Sequence, residues 1–201
     1  MNYTYGVATG KNGSALGLLY PYIYESGTNV DPSPEDIYLD FDRTHNLIAN
    51  IIVNTPQQWG PVLFDVYPFE QVTLAVTSFA RSGRPYNSQI NRLILMGLRA
   101  PAEYTTNLKI TKQLSNVFGT NAVLYVEVTN LFNSRIYDYN ALFNPNIAAG
   151  LGLEEYTKKF ELGEDITYFT HPDSPGYLVN QEFRLYSNAP RSVQLGMIIN
   201  L

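Results

Sequence analysis

Five stretches of this chain set an apolar residue at every second position, the spacing of a β-strand whose two faces differ in chemistry. At the C-terminus Val193, Leu195, Met197, Ile199 and Leu201 alternate with Ser192, Gln194, Gly196 and Asn200, and Ile198 breaks the phase. Upstream, Ala122, Leu124, Val126 and Val128 oppose Asn121, Val123, Tyr125, Glu127 and Thr129. Thr106, Leu108 and Ile110 oppose Asn107, Lys109, Thr111 and Gln113, and Val72, Leu74, Val76 and Ala80 oppose Gln71, Thr73, Thr77 and Arg81. Leu47, Ala49, Ile51 and Val53 oppose Asn46, Ile48, Asn50, Ile52 and Asn54. The expected strands are His45 to Asn54, Gln71 to Arg81, Tyr104 to Gln113, Ala122 to Leu131 and Ser192 to Leu201, with a sixth over Asn2 to Ala8. The fold class is therefore all-β and antiparallel.

Alternation alone fits two architectures. A soluble sandwich turns its apolar faces inward, and a membrane barrel turns them outward to lipid. The connections separate the two. Gly10 to Thr44, Gly83 to Glu103 and Phe132 to Arg191 are long, whereas Thr55 to Glu70 is shorter and Ser115 to Thr120 is a tight turn. Long and short connections in alternation are the habit of an up-and-down barrel with short turns inside and long loops outside. Compact soluble domains seldom carry such loops. Within Thr55 to Glu70, Val62 to Phe64 is expected to extend a strand. Aromatic residues gather near strand ends, with Trp59, Tyr67, Phe69 and Phe118 at one level and Phe79, Tyr86 and Tyr104 at the other, as interfacial girdles do.

Charge and composition exclude several classes. The net charge is −5 and no Lys/Arg cluster offers a phosphate footprint, so nucleic acid is not an expected partner. There is no cysteine, hence no disulfide and no thiolate metal site. The longest apolar runs, Leu16 to Tyr24 and Leu93 to Leu98, fall short of the roughly 18 residues of a membrane helix. Met1 to Tyr5 has neither the basic region nor the apolar core of a signal peptide, so the expectation is either a cytoplasmic chain or one whose true N-terminus lies upstream, as an outer-membrane destination would require.

The strands carry motifs in a fixed order. Asp42-Arg43-Thr44-His45 opens one, and Ser82-Gly83-Arg84-Pro85-Tyr86 closes the next. Arg99-Ala100-Pro101, Tyr104 and Asn107 to Lys112 open the following one. Val126-Glu127-Val128-Thr129-Asn130-Leu131-Phe132-Asn133 and Arg191 to Gly196 complete the series. In this order and spacing the chain, from about Tyr38 to Leu201, resembles the last strands of TonB-dependent receptor barrels of the Gram-negative outer membrane. It departs from that pattern at Asn107, where the family often has Asp, and at Leu201, where a terminal aromatic is common.

The resemblance implies an up-and-down transmembrane β-barrel segment of about six strands, residues 1–201, without the plug domain. The implied function is nutrient uptake, with the chain supplying barrel wall and outer loops. The implied partners are outer-membrane lipid and lipopolysaccharide, the rest of the barrel and its plug, the barrel-assembly machinery through the last strand, and indirectly the inner-membrane energy-coupling complex. Six strands cannot close a membrane barrel, since the smallest have about eight and transporters of this kind about 22. Gly83 and Pro85 are expected to end ladder pairing at the outer rim, Asn130 and Asn133 to bond local backbone, and Arg84 and Arg191 to meet lipopolysaccharide phosphates or, for Arg191, merely to start a strand. The ligand is not named by the sequence. Alternatives are a soluble β-sandwich that binds carbohydrate through Tyr-rich loops, and a small barrel completed by self-association.

No enzyme is expected, and no catalytic, metal or cofactor residue is assigned. Asp42 and His45 point to opposite faces of an extended strand and fit a strand-entry hydrogen bond. His171-Pro172-Asp173, beside Glu164 and Asp165, could be taken for a metal site but fits a polar loop better. Glu154, Glu155, Glu161, Glu164 and Asp165 lack the regular spacing of a calcium loop and are expected to be a solvated loop face.

Overall fold

A computed structural model describes residues 1–10, 36–91, 96–117, 120–170, 178–180 and 182–200. Six of its strands form one antiparallel sheet: β1 (Asn2–Tyr5), β4 (His45–Asn54), β5 (Val72–Arg81), β8 (Glu103–Val117), β9 (Thr120–Thr129) and β12 (Ser192–Asn200). Their order in space, β1-β4-β5-β8-β9-β12, follows their order in sequence, so each pairs with its sequence neighbour in an up-and-down meander. All five strands expected from the strong alternation are present, with ends shifted by at most a few residues, and β1 is the expected sixth, ending at Tyr5. The sheet is open: β1 and β12 have one partner each, and the described residues close no barrel.

The ladder register puts residues of one parity on one face in every strand. One row runs Ile51, Val76, Leu108, Val128 and Val193, and the next Val53, Leu74, Ile110, Val126 and Leu195. On the reverse face one row runs Ile52, Ala75, Lys109, Glu127 and Gln194, and another Asn54, Thr73, Thr111, Tyr125 and Gly196. The polar face is thus the expected one, with Ile48, Ile52, Phe79, Val123 and Ile198 as its apolar exceptions. Tyr125 lies across Gly196, where any Cβ would collide with the ring, so β9 and β12 are pinned in register there.

The short connection is shorter than the long turn by a wide margin. β8 and β9 are joined through positions 118 and 119 alone, with a register irregularity between Leu114 and Val117. Between β4 and β5 the chain instead makes a hydrogen-bonded excursion. Val62 to Phe64 does not extend a strand: Leu63 and Val66 exchange backbone hydrogen bonds at 2.9 and 3.0 Å, and Phe64 and Asp65 turn between them at φ 52° and 60°.

The hydrophobic core lies outside the sheet. Among the described residues it is built at the β5–β8 and β9–β12 end from the pair β6 (Pro85–Tyr86) with β7 (Leu98–Arg99) and from helices α1 (Tyr139–Phe143), α2 (Pro145–Gly150), α3 (Glu154–Glu161) and α4 (Glu182–Leu185), while β10 (Tyr168–Thr170) and β11 (Leu178–Asn180) form a separate short pair. Tyr86, Leu142, Phe143, Ile166 and Leu185 are buried together, with Tyr137, Tyr139 and Phe160 around them. A further short pair, β2 (Thr9–Gly10) with β3 (Ile37–Tyr38), flanks this end. The excursion after β9 is therefore a folded module and not an extended loop. Asp138 caps α1 by accepting from the backbone N–H groups of Asn140 and Ala141 at 3.0 and 3.1 Å. In α3, Glu154 and Glu155 occupy the first turn, Lys158 and Lys159 the last, and Glu155 pairs with Lys159 one turn on.

Candidate functional site

Two surfaces combine unusual chemistry with defined geometry: the apolar face of the six-stranded sheet, and the rim where the sheet meets the folded module that lies outside it, termed the outer module for that position alone. On the apolar face no helix or second sheet packs against β4, β5, β8, β9 or β12 among the described residues. Ile51 is 58 % exposed, Val193 60 %, Leu195 77 % and Met197 54 %. The polar side chains on the inner rows of this face are satisfied within the protein. Ser78 and Thr106, directly opposite each other, share a hydrogen bond of 2.9 Å. Lys112, whose parity places it on this face, directs its ammonium to the backbone carbonyls of Tyr67, at 3.4 Å, and Glu70. A shallow hollow of about 580 Å³ beside it is lined by Ile110, Leu124, Val126, Leu195 and Met197. Nearest the outer module the face ends in exposed Tyr3, Tyr5 and Tyr104, with the Tyr3 hydroxyl 2.8 Å from His45 Nδ1.

The reverse face carries the Lys109–Glu127 ion pair at 3.1 Å, with both side chains about half exposed. Hydration leaves such a pair worth little in stability. It marks this face as wet rather than holding it together.

At the rim, Asp42 is buried and accepts three hydrogen bonds: from the Ala8 backbone N–H at 2.6 Å, Thr44 Oγ1 at 2.9 Å and Arg99 Nη2 at 2.6 Å. Burial alone would raise its pKa, but these donors outweigh burial and hold it below the ordinary carboxylate value. Buried Glu103 takes Arg43 at 2.6 Å and Arg81 at 2.7 Å. Burial pulls the Arg43 pKa down against the Glu103 carboxylate. Arg84 donates to the Asp40 carbonyl at 2.7 Å and stacks over the Tyr139 ring at 3.9 Å. Arg43 and Arg81 thereby join the approach to β4 and the end of β5 to the start of β8, Arg99 ties β7 to Asp42, and Arg84 ties the Asp40 turn to α1.

The Asn-Leu-Phe-Asn motif is the second tie. Asn130, buried at φ 53°, donates to the Ser134 and Ala189 carbonyls at 2.9 and 3.0 Å and accepts from Ser134 N and Oγ at 2.9 Å each. Its own N–H donates to Asn107 Oδ1 at 2.9 Å. Asn133, at φ 51°, accepts from the Arg191 backbone N–H at 3.0 Å, which joins the two ends of the excursion where β12 begins. Gly83 is required for a different reason: a Cβ there would run into the Ala100 carbonyl.

Several expectations are corrected by these positions. The six-stranded ladder ends at Arg81, ahead of Gly83 and Pro85, but Pro85 is itself buried and pairs with Arg99 in the separate pair β6–β7. Tyr86 belongs to the module core and Phe79 to the polar face, so neither lies with Tyr104 on the apolar face; Tyr3 and Tyr5 do, because they share the parity of Leu47. Arg84 is folded onto Tyr139 and is not displayed outward, whereas Arg191 is exposed at the start of β12. Asp42 and His45 have separate partners, as opposite faces require. Glu161 is no solvated loop residue: it accepts from Ser88 Oγ at 2.8 Å and Gln89 N at 2.9 Å and ties α3 to the β6–β7 loop. Trp59 and Phe69 are exposed near the opposite end of the sheet as expected. Phe118, Leu201, the His171-Pro172-Asp173 stretch and the Leu16 to Tyr24 run lie outside the described residues. Among the described residues no group of His, Cys, Asp and Glu is placed to hold a metal ion, and no helix is long and apolar enough to cross a membrane. Lys112 is the residue that the sequence reading passed over, although its even number in β8 was the available signal.

Comparison with protein-family models, with curated proteins and with solved structures gives no match to this chain.

Proposed function

We propose that this chain is wall and outer-loop structure of an outer-membrane β-barrel, most similar in its motifs to the C-terminal strands of TonB-dependent receptors, and that it serves nutrient uptake rather than catalysis. The observation that carries the proposal is the uncovered apolar face, whose inner polar groups are bonded within the protein. A face turned to hydrocarbon has no water to satisfy Ser78, Thr106 or Lys112, and each has an internal partner. Its height also fits. From the Tyr104 row to the Leu114 row, β8 advances about 33 Å at ~3.3 Å per residue, or about 25 Å when tilted by ~40°, the height of a barrel's apolar band.

A soluble sandwich would lay a second sheet on these residues, and the described residues supply only pairs of two or three residues elsewhere. Both edges of the sheet carry unpaired backbone groups, which hydrocarbon does not tolerate, so further strands are required to close the wall. The outer module and its arginine-tied rim would then face the medium, where ligand is met.

Fractionation and solubility test the proposal. In a Gram-negative host the protein is expected to sediment with the outer membrane and, expressed alone, to need detergent or denaturant. A monodisperse, cooperatively folding monomer in plain buffer would contradict it.

A further inference from the structure

We infer that the β4–β5 excursion is a lipid-embedded foot: its hairpin tip, Leu63 to Val66 with Phe64 at the turn, lies in the headgroup and acyl boundary of the bilayer at the end opposite the outer module. The inference rests on the membrane reading above and adds a contact that strand alternation does not require.

The connection from Thr55 to Gln71 is far longer than reversal of the chain demands, since β8 and β9 reverse through positions 118 and 119 alone. It is nevertheless tied down. Thr55 Oγ1 donates to the Phe69 carbonyl at 2.6 Å, the Gln58 N–H donates to Glu70 Oε2 at 2.9 Å, and the Gln71 N–H reaches the Pro56 carbonyl at 3.3 Å. Gln58, Phe64, Asp65 and Gln71 all hold positive φ, from 51° to 60°. A two-residue hairpin that only turned the chain would place Asn-Gly at its tip. Here the tip position goes to a phenylalanine that is 100 % exposed. Strain retained at an apolar tip is expected where that side chain has a binding partner.

The partner is identified as lipid by continuity and composition. Lys112 emerges from the apolar face and donates to the Tyr67 and Glu70 carbonyls, so the return arm of the excursion is fastened to the lower edge of that same face. Trp59, Val62, Leu63, Phe64, Val66 and Phe69 are each at least half exposed. A tryptophan among exposed phenylalanine and aliphatic side chains at the end of an apolar face is what the interfacial layer of a bilayer selects. Asp65, beside Phe64, keeps the turn at the boundary and out of the hydrocarbon centre.

Trp59 is the chain's single tryptophan, which makes the test clean. In a Trp59→Phe background, Phe64→Trp and, on the apolar face, Ile51→Trp are placed in phosphatidylethanolamine–phosphatidylglycerol vesicles with bromine near the headgroup or deep in the acyl chain. The foot predicts blue-shifted emission from Phe64→Trp and strong loss of intensity with shallow bromine. Ile51→Trp is quenched most by deep bromine. Solvent-like emission from Phe64→Trp, quenched by aqueous iodide while Ile51→Trp is quenched by bromolipid, would overturn the foot and leave the wall standing. Blue-shifted emission from Phe64→Trp that neither iodide nor bromolipid quenches would mean a tip buried against protein, and would overturn the foot as well. Failure of bromolipid to quench either position would overturn both.

Discussion

Asn130 does two jobs at once: it accepts a left-handed backbone conformation and bonds four groups of the excursion that follows. Alanine loses both. Asn130→Ala is expected to cost roughly 2–4 kcal/mol, from the left-handed backbone and the loss of its bonds with Ser134 and the Ala189 carbonyl. Asn130→Gly is expected to recover ~1–2 kcal/mol of that loss by relieving the backbone alone. Urea unfolding of both variants checks the order; equal costs would mean that the side chain's bonds carry the whole effect. Asp42 makes a second prediction. Its folded pKa is depressed below the ordinary 3.8, so its contribution to stability is complete above pH 3.8 and is lost as pH falls through the lower folded value. Asp42→Asn is expected to be less stable than the parent at neutral pH and to have a flatter stability profile below pH 3.8. Parallel profiles would show that Asp42 does not govern that range.

Elements differ in how far the sequence discloses them. The five long strands are legible because apolar and polar residues alternate along most of their length, with exceptions such as Ile52, Ser78 and Ile198, and because the faces stay in phase across the ladder from Ile51 to Val193. The outer module is not legible by the same means. Its core joins Tyr86, Phe143, Ile166 and Leu185, which are distant in sequence and belong to elements too short to show a period. Signals were nonetheless present for two helices: Asp138 ahead of Asn-Ala-Leu-Phe, and the Glu155–Lys159 spacing before Gly163 at φ 75°. The strain at Phe64 was not legible at all, since nothing in the residue type asks for positive φ. The module has its own signature in alkali. Burial pushes the Tyr86, Tyr137 and Tyr139 hydroxyls up to about 12. The unfolded chain ionises them at about 10, so the stability they contribute is complete below pH 10 and is lost as pH rises toward 12. Near-ultraviolet circular dichroism is expected to disappear over that interval while the far-ultraviolet sheet signal persists. Loss of the sheet signal at the same pH would show the two parts to be one cooperative unit.

At the scale of the whole molecule, the packed core and the largest sheet are in different places. An ordinary soluble domain puts its core on the sheet. Here the core is the outer module, and the sheet keeps its apolar rows uncovered and its polar rows wet. On the proposed reading, bilayer as solvent for one face and water for the other accounts for both at once, and also for the internal pairing of Ser78 with Thr106. The most direct measurement compares neighbouring residues of β8 that point to opposite faces. In the lipid-embedded barrel, Ile110→Arg is expected to cost ~2–4 kcal/mol, as a charge near mid-bilayer does, and Thr111→Arg much less. Unfolding free energies from vesicles in that order support the assigned orientation; equal costs, or a greater cost at Thr111, would contradict it.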